Sequence, residues 1–387
     1  MKIAIICSDF KKSNIRKFPW KYIYEIARYL DEKNEVVIIT DTETDIDELR
    51  VNRVNQIFKI GKGETEELIK VLNEEAPDKC IMLLGLSSFI RKEFNINFPV
   101  YGVLTSPPYT VRELIKNIGF KDSLKYRRYT AIHYLNAIIP NFLVKKWSQK
   151  FEKIIFLSEY TRQGIIEKGC PTEKCVFIPI GIEKHFLDDP DILAVDKLRK
   201  DINPKNLPII MYFTSPLTLR GTDTLVKAFA KVKLERECKL IFLSRVDYSE
   251  LKSEEKNLKK IAERAGVSDS IKIISNYLNP NEIKEYLSIA DIICLPFKIV
   301  ISDVPVSILE AQSVGKHVIS TNVACIPEIL DKELVEPNDP KKLANAIVKL
   351  FNVAENENSH GNENKKYKDR YYDWREIGNK FTIVINN

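Results

Sequence analysis

One stretch of this chain, residues 302–321 (SDVPVSILEAQSVGKHVIST), gathers a carboxylate, a set of backbone amides and a proline. Ser302 or Asp303 can cap a helix there, and Pro305 suits its first turn. The amides of Val304, Val306 and Ser307 then point out of the helix N-terminus. That end carries roughly +0.5 of a charge and is a seat for phosphate. Glu310 falls four positions after Val306, on the same helix face. A carboxylate there accepts hydrogen bonds from a sugar or ribose diol. The plainer alternatives are an exposed or salt-bridged Glu310 and an Asp303 that only caps.

The surrounding elements place this loop. Asn281–Ala290 has helical periodicity, and Asp291–Pro296 is a short apolar run that suits a buried parallel strand. A polar loop covers 298–305, a helix follows over Val306–Val314, and Gly315 closes it. Val318–Ser320 reads as the next buried strand. Such a strand–loop–helix–strand unit belongs to a doubly wound sheet, where ligands bind outside the carboxyl ends of the strands.

The frame resembles the C-terminal signature of GT-B glycosyltransferases of the glycosyltransferase 4 type (group 1). That family carries a Glu-x7-Glu pair before a helix ending in Ala-x-Gly-x-Pro-Val-Ile. Glu310 matches the second glutamate, Ser302 stands at the first with Asp303 beside it, and His317 replaces the proline. A second signature, residues 212–221 (YFTSPLTLRG), is similar to the family's Gly-Arg-x4-Lys-Gly loop, whose cations hold a donor pyrophosphate. The resemblance makes Arg220 the lysine, with a planar fork suited to phosphate. It makes Thr214-Ser215 the Gly-Arg, leaving Ser215 to hydrogen bond a phosphate. Gly221 lets the backbone come close, and Thr222 can cap the next helix. Asn276-Tyr277-Leu278 corresponds to the turn beside the nucleotide base, against which Tyr277 could pack. Phe297, at a strand end, is open to the same reading. A solvated Arg220 and a half-buried turn Tyr277 are the plain alternatives.

On the N-terminal side the match is to the order of elements. Lys11 and Lys12 stand where relatives have a Gly-Gly loop, and could meet an anionic acceptor or donor phosphate. Ser106 and Tyr109, in Thr105–Tyr109, occupy the position of a family histidine near the reacting carbon. His133 lies farther on, and reads as a core or surface residue.

The resemblance implies a GT-B α/β fold, two Rossmann-like doubly wound domains facing a cleft. Residues 1–181 would form the acceptor domain and 182–370 the donor domain. The final helix, within 371–387, would cross back onto the first. It implies transfer of a hexosyl group from a nucleoside diphosphate sugar to a hydroxyl of a glycan or lipid-linked acceptor. Retention of configuration and metal independence come with it, as do catalytic roles for Arg220 and Asp303. Two other readings remain: a non-catalytic nucleotide-sugar scaffold or sensor of this fold, and a nucleotide-sugar epimerase.

The rest of the chain fits such an enzyme without specifying it. Its 387 residues suggest two domains, and 44% hydrophobic with 29% charged residues is globular. Seven cysteines without a Cys-x-x-Cys pair read as reduced, buried thiols of a cytoplasmic protein. Four scattered histidines argue against a metal cage. The opening MKIAIICSDFKK reaches charge too soon for a signal peptide and reads as a strand. Net charge is +6, and no motif points to nucleic acid. The segment 121–153 mixes eight lysines and arginines with aromatic residues. It suits peripheral contact with the inner face of an anionic membrane. An ordinary solvated basic face is the other reading.

Overall fold

Short apolar runs alternate with amphipathic helices, and nearly every run is a parallel strand buried on both faces. The computed structural model describes residues 1–59, 63–90, 93–244, 249–275, 278–356 and 372–386. Strand β1 is Lys2–Ile6, β2 Glu35–Thr40 and β3 Arg50–Arg53; β4 (Phe58–Lys59) and β5 (Gly63–Glu64) form a small antiparallel pair. Then come β6 (Lys79–Leu84), β7 (Val100–Leu104), β8 (Lys153–Phe156) and β9 (Cys175–Phe177). The first sheet has the order β3-β2-β1-β6-β7-β8-β9, all parallel. Along β1, Ile3 and Ile5 enter one core and Ala4 and Ile6 the other, as a period of two requires.

The second sheet uses β10 (Ile209–Phe213), β11 (Lys239–Leu243), β12 (Ile271–Ile274), β13 (Ile292–Leu295), β14 (His317–Thr321) and β15 (Leu334–Val335). Its order is β12-β11-β10-β13-β14-β15, again parallel. Each sheet therefore reverses its strand order once, between β1 and β6 and between β10 and β13. Those reversals are where open α/β sheets bind ligands.

The last helix, Trp374–Asn386, returns to the first domain and packs on the helix Trp20–Asp31. A β-carbon on Gly378 would come within 2.3 Å of the Tyr29 ring, so the missing side chain sets how closely the two helices approach. Trp374 meets Tyr22 edge to face at 5.9 Å, and the Ile182 amide donates to the Tyr372 carbonyl at 3.0 Å. All seven cysteines are free and buried. The polar stretch 355–368 lies, from residue 357, outside the described residues.

Four strands were not foreseen: β3, β4, β5 and β15. Strand β3 is Arg-Val-Asn-Arg, an edge whose polar side chains carry no apolar alternation.

Candidate functional site

The two loops singled out by sequence leave the carboxyl ends of β10 and β13, the neighbouring strands at the second sheet's reversal. After β10 the chain makes one tight turn, Thr218–Arg220, and enters the helix Thr222–Glu235. Gly221, not Thr222, sits at the helix start, with φ +80°. A β-carbon there would lie 1.8 Å from the carbonyl oxygen of Pro296, so only glycine lets the loops touch. The amides of Lys298 and Ile299 both donate to the Leu219 carbonyl, at 3.1 and 3.3 Å. Arg220 is half-buried, and its Nη1 donates to Thr214 Oγ1. Ser215 is also half-buried, and its carbonyl accepts from the Tyr212 hydroxyl at 2.7 Å.

Past β13 the helix runs over Val306–Ser313. Pro305 holds the cap position, and no side chain caps the helix. Val304 and Ser307 are buried, Ser302 and Val306 half-buried, and Glu310 is buried one turn inside. Arg220, Ser215, Gly221, Ser302, Val304, Pro305, Val306 and Glu310 thus belong to two loops in direct contact. Tyr277 lies outside the described residues. Phe297 is core: it is buried, and its carbonyl accepts from Thr321 Oγ1 at 2.6 Å.

Asp303 is corrected on both counts. It neither caps the helix nor faces open space. Its carboxylate is fully buried and accepts from Ser158 Oγ at 2.7 Å and Thr161 Oγ1 at 2.6 Å, both on the first domain. Burial pushes this carboxyl up to about 6, against an ordinary 3.8, and the two hydroxyl donors oppose the rise. Asp303 is a strut between domains. Tyr109, expected at the acceptor, is another: it is buried, its hydroxyl accepts from the Val300 amide at 2.7 Å and donates to the Val300 carbonyl at 3.1 Å.

A third strut was missed altogether. Lys298 is 1% exposed, with Nζ 2.9 Å from Asp122 Oδ2 of the first domain and 3.1 Å from Asp223 Oδ1 of the second. The signal was available: a lysine just past a buried strand and an aspartate in the first turn of a helix. Their meeting depends on tertiary structure. Tyr126 adds a fourth contact, donating to Thr218 Oγ1 at 2.7 Å. His133 is buried against Tyr109 at 5.8 Å, and burial lowers it to about 4, so it stays neutral near pH 7.

Lys11 and Lys12 do lie at the first sheet's reversal, just beyond β1. Lys11 pairs with Asp9 at 2.7 Å, while Lys12 is exposed and its amide donates to Asp45 at 3.0 Å. Ser106 is half-buried after β7. The basic segment 121–153 folds as short helices whose Tyr126 and Trp147 point inward, and Lys153 begins β8. Among the described residues no helix is long and apolar enough to cross a membrane, and no group of acidic, His or Cys side chains could hold a metal ion.

Residues 195–367 match the family model of the glycosyl transferases group 1, and both contacting loops fall within that span. This span, less than half of the chain, is similar to the group 1 glycosyltransferases. A stretch of 209 residues of this chain is 26% identical to the amylovoran biosynthesis glycosyltransferase AmsK of Erwinia amylovora. That match covers 51% of the chain and 47% of the relative, about half its length. The fold is that of GT-B enzymes over the whole chain. A glycosyltransferase from Rickettsia africae superposes with a TM-score of 0.72 at 18% identity, covering 99% of this chain and 97% of that one. Alr3699/HepE of Anabaena, crystallised with UDP and glucose, superposes with 0.74 at 15%, covering 100% of both.

Proposed function

We propose that this chain transfers a hexosyl group from a nucleoside diphosphate sugar to a hydroxyl of a glycan or lipid-linked acceptor. One observation carries the reading: the two loops of the group 1 domain lie against each other at the reversal of the second sheet. In this reading Arg220 and the amides of Val304, Val306 and Ser307 face the diphosphate. They would stabilise the charge that develops on it as the glycosidic bond breaks, the largest electrostatic demand of such a step. Ser215 adds a hydroxyl donor, and Glu310 holds a diol of the donor. Tyr277 would pack against the base. Lys12 and Ser106 are the acceptor-side candidates. Asp303, tied to Ser158 and Thr161, acts by fixing the domains rather than by touching sugar. Alr3699/HepE, which was crystallised with UDP and glucose, supports a uridine nucleotide and glucose as the first donor to try. Retention and metal independence rest on the family resemblance alone.

The test is turnover of a nucleotide-sugar panel with glycan and lipid-linked acceptors, with and without a chelator, the product anomer read by NMR. Transfer with retention, insensitive to chelation, is expected. Binding without turnover would make the chain a sensor, and conversion of free donor with no acceptor would make it an epimerase.

A further inference from the structure

Between β7 and β8 the first domain carries four short helices: Val111–Ile118, Phe120–Lys125, Arg127–Ala137 and Asn141–Ser148. The first three pack on one another. Among the described residues, sixteen large apolar side chains are exposed, and eight of them lie between Val111 and Phe142. Phe120 is 73% exposed, Leu124 59%, Ile138 65% and Phe142 68%. Phe120 and Leu124 share one helix face, as do Ile132 and Leu135, which are also exposed. Surface apolar residues scattered singly need no explanation; a concentration of them does.

Charge follows the same geography. Residues 111–150 hold nine lysines and arginines against two acids, a net +7, where the whole chain is +6. All nine basic side chains are exposed. Both acids are half-buried and engaged: Glu113 closes a capping box with Thr110, and Asp122 binds Lys298. The face shown to solvent is therefore apolar and cationic. That combination excludes a second copy of the same face, since two such surfaces repel. Aliphatic side chains gain nothing from a nucleic-acid backbone. Both halves of the surface are satisfied by a bilayer with anionic headgroups.

We infer that these helices dock on an anionic lipid bilayer, with Phe120, Leu124, Ile138 and Phe142 entering the headgroup boundary and the lysines and arginines meeting lipid phosphates. The docked helices are braced on the donor loops. Asp122 holds Lys298, and Tyr126 holds Thr218, two residues before Arg220. Docking thus seats the cleft at the bilayer surface, where a lipid-linked acceptor would be presented. That consequence rests on the transferase reading; the docking does not.

The experiment is co-sedimentation of the full chain, without nucleotide sugar, using vesicles of phosphatidylcholine and of phosphatidylcholine with roughly one-third phosphatidylglycerol. Phe120→Ser/Phe142→Ser and Lys121→Gln/Lys145→Gln/Lys150→Gln are compared with wild type, thermal unfolding serving as the folding control. Wild type is expected to bind the anionic vesicles at least about tenfold more tightly than neutral ones and to be released by salt. Each variant is expected to lose about tenfold or more while unfolding at the wild-type temperature. No binding to anionic vesicles, or equal binding by wild type and both variants, overturns the inference. So does a concentration-dependent dimer, without vesicles, that Phe120→Ser/Phe142→Ser dissolves. Vesicle binding with no response to any nucleotide sugar would leave the docking intact and defeat only the donor reading.

Discussion

Replacing Lys298 by methionine should be among the most damaging single changes available at the domain seam. The side chain is 1% exposed and its ammonium reaches Asp122 at 2.9 Å and Asp223 at 3.1 Å. Methionine keeps most of the apolar stem and removes the charge, leaving two carboxylates facing each other. Breaking a buried ion pair from one side costs about 3–5 kcal/mol. Two features pull the value toward the lower end. Asp122 is 25% exposed, so water reaches it, and Asp223 keeps a 3.5 Å contact with the exposed Lys227. A loss of about 3 kcal/mol is expected. Urea unfolding measures it, followed by far-UV circular dichroism for both domains. Fluorescence adds a domain-specific probe, because Trp20, Trp147 and Trp374 all lie on the first domain or on the helix packed against it. Adding Asp223→Asn, which neutralises the more buried carboxylate, should restore about half of the loss. A loss under about 1 kcal/mol, or no rescue by Asp223→Asn, would show that Lys298 does not compensate these carboxylates.

Two further outcomes follow from the same seam and loops. Asp303 is raised to about 6 by burial, so the folded chain holds its proton more tightly than the unfolded chain does. Its ionisation therefore lowers stability as pH rises from about 4 to about 6, and a cost of roughly 3 kcal/mol is fully present above that. Asp303→Asn keeps an acceptor for Ser158 and Thr161 without the charge. Its melting temperature relative to wild type should climb across that window and level off above it; a difference flat with pH would refute the assignment. Gly221→Ala meets both a left-handed φ of +80° and the Pro296 oxygen at 1.8 Å. It should cost more than the roughly 1–2 kcal/mol of handedness alone, whereas Gly266→Ala, with φ +70° and nothing within 4 Å, should cost no more than that. Equal losses in thermal unfolding would mean the two loops do not touch as described.

Much of this architecture could be read from the sequence, because buried parallel strands announce themselves as apolar runs. Ile209–Phe213, Lys239–Leu243, Ile271–Ile274 and Val100–Leu104 need no tertiary information to be seen. Edge strand β3 does, since only pairing with β2 holds Arg50–Arg53 extended. At the site, Gly221 and the Pro305-led helix were legible because turn chemistry is local. The fate of Asp303 was not: its partners Ser158 and Thr161 lie more than 140 residues away, and a loop aspartate before a proline looks like a cap. Tyr109 misled in the same way, because nothing local reveals that its hydroxyl is spent on the Val300 backbone. Of the aromatics that suggested a membrane face in the basic segment, Phe142 is exposed, Tyr129 and Tyr134 are half-buried, and Tyr126 and Trp147 are core. The exposed apolar residues that replace these last two, Phe120 and Leu124 among them, became visible only once the helices were assembled.

The claim that a nucleotide sugar sits between the β10 and β13 loops is tested most directly by thermal stabilisation. Wild type, Arg220→Ala and Glu310→Ala would each be heated with a panel of nucleoside diphosphate sugars. The account predicts a rise in unfolding temperature with donors of one nucleotide class, uridine first, and its loss in both variants. A wild-type rise that persists undiminished in Arg220→Ala and Glu310→Ala would contradict it, as would no rise with any donor.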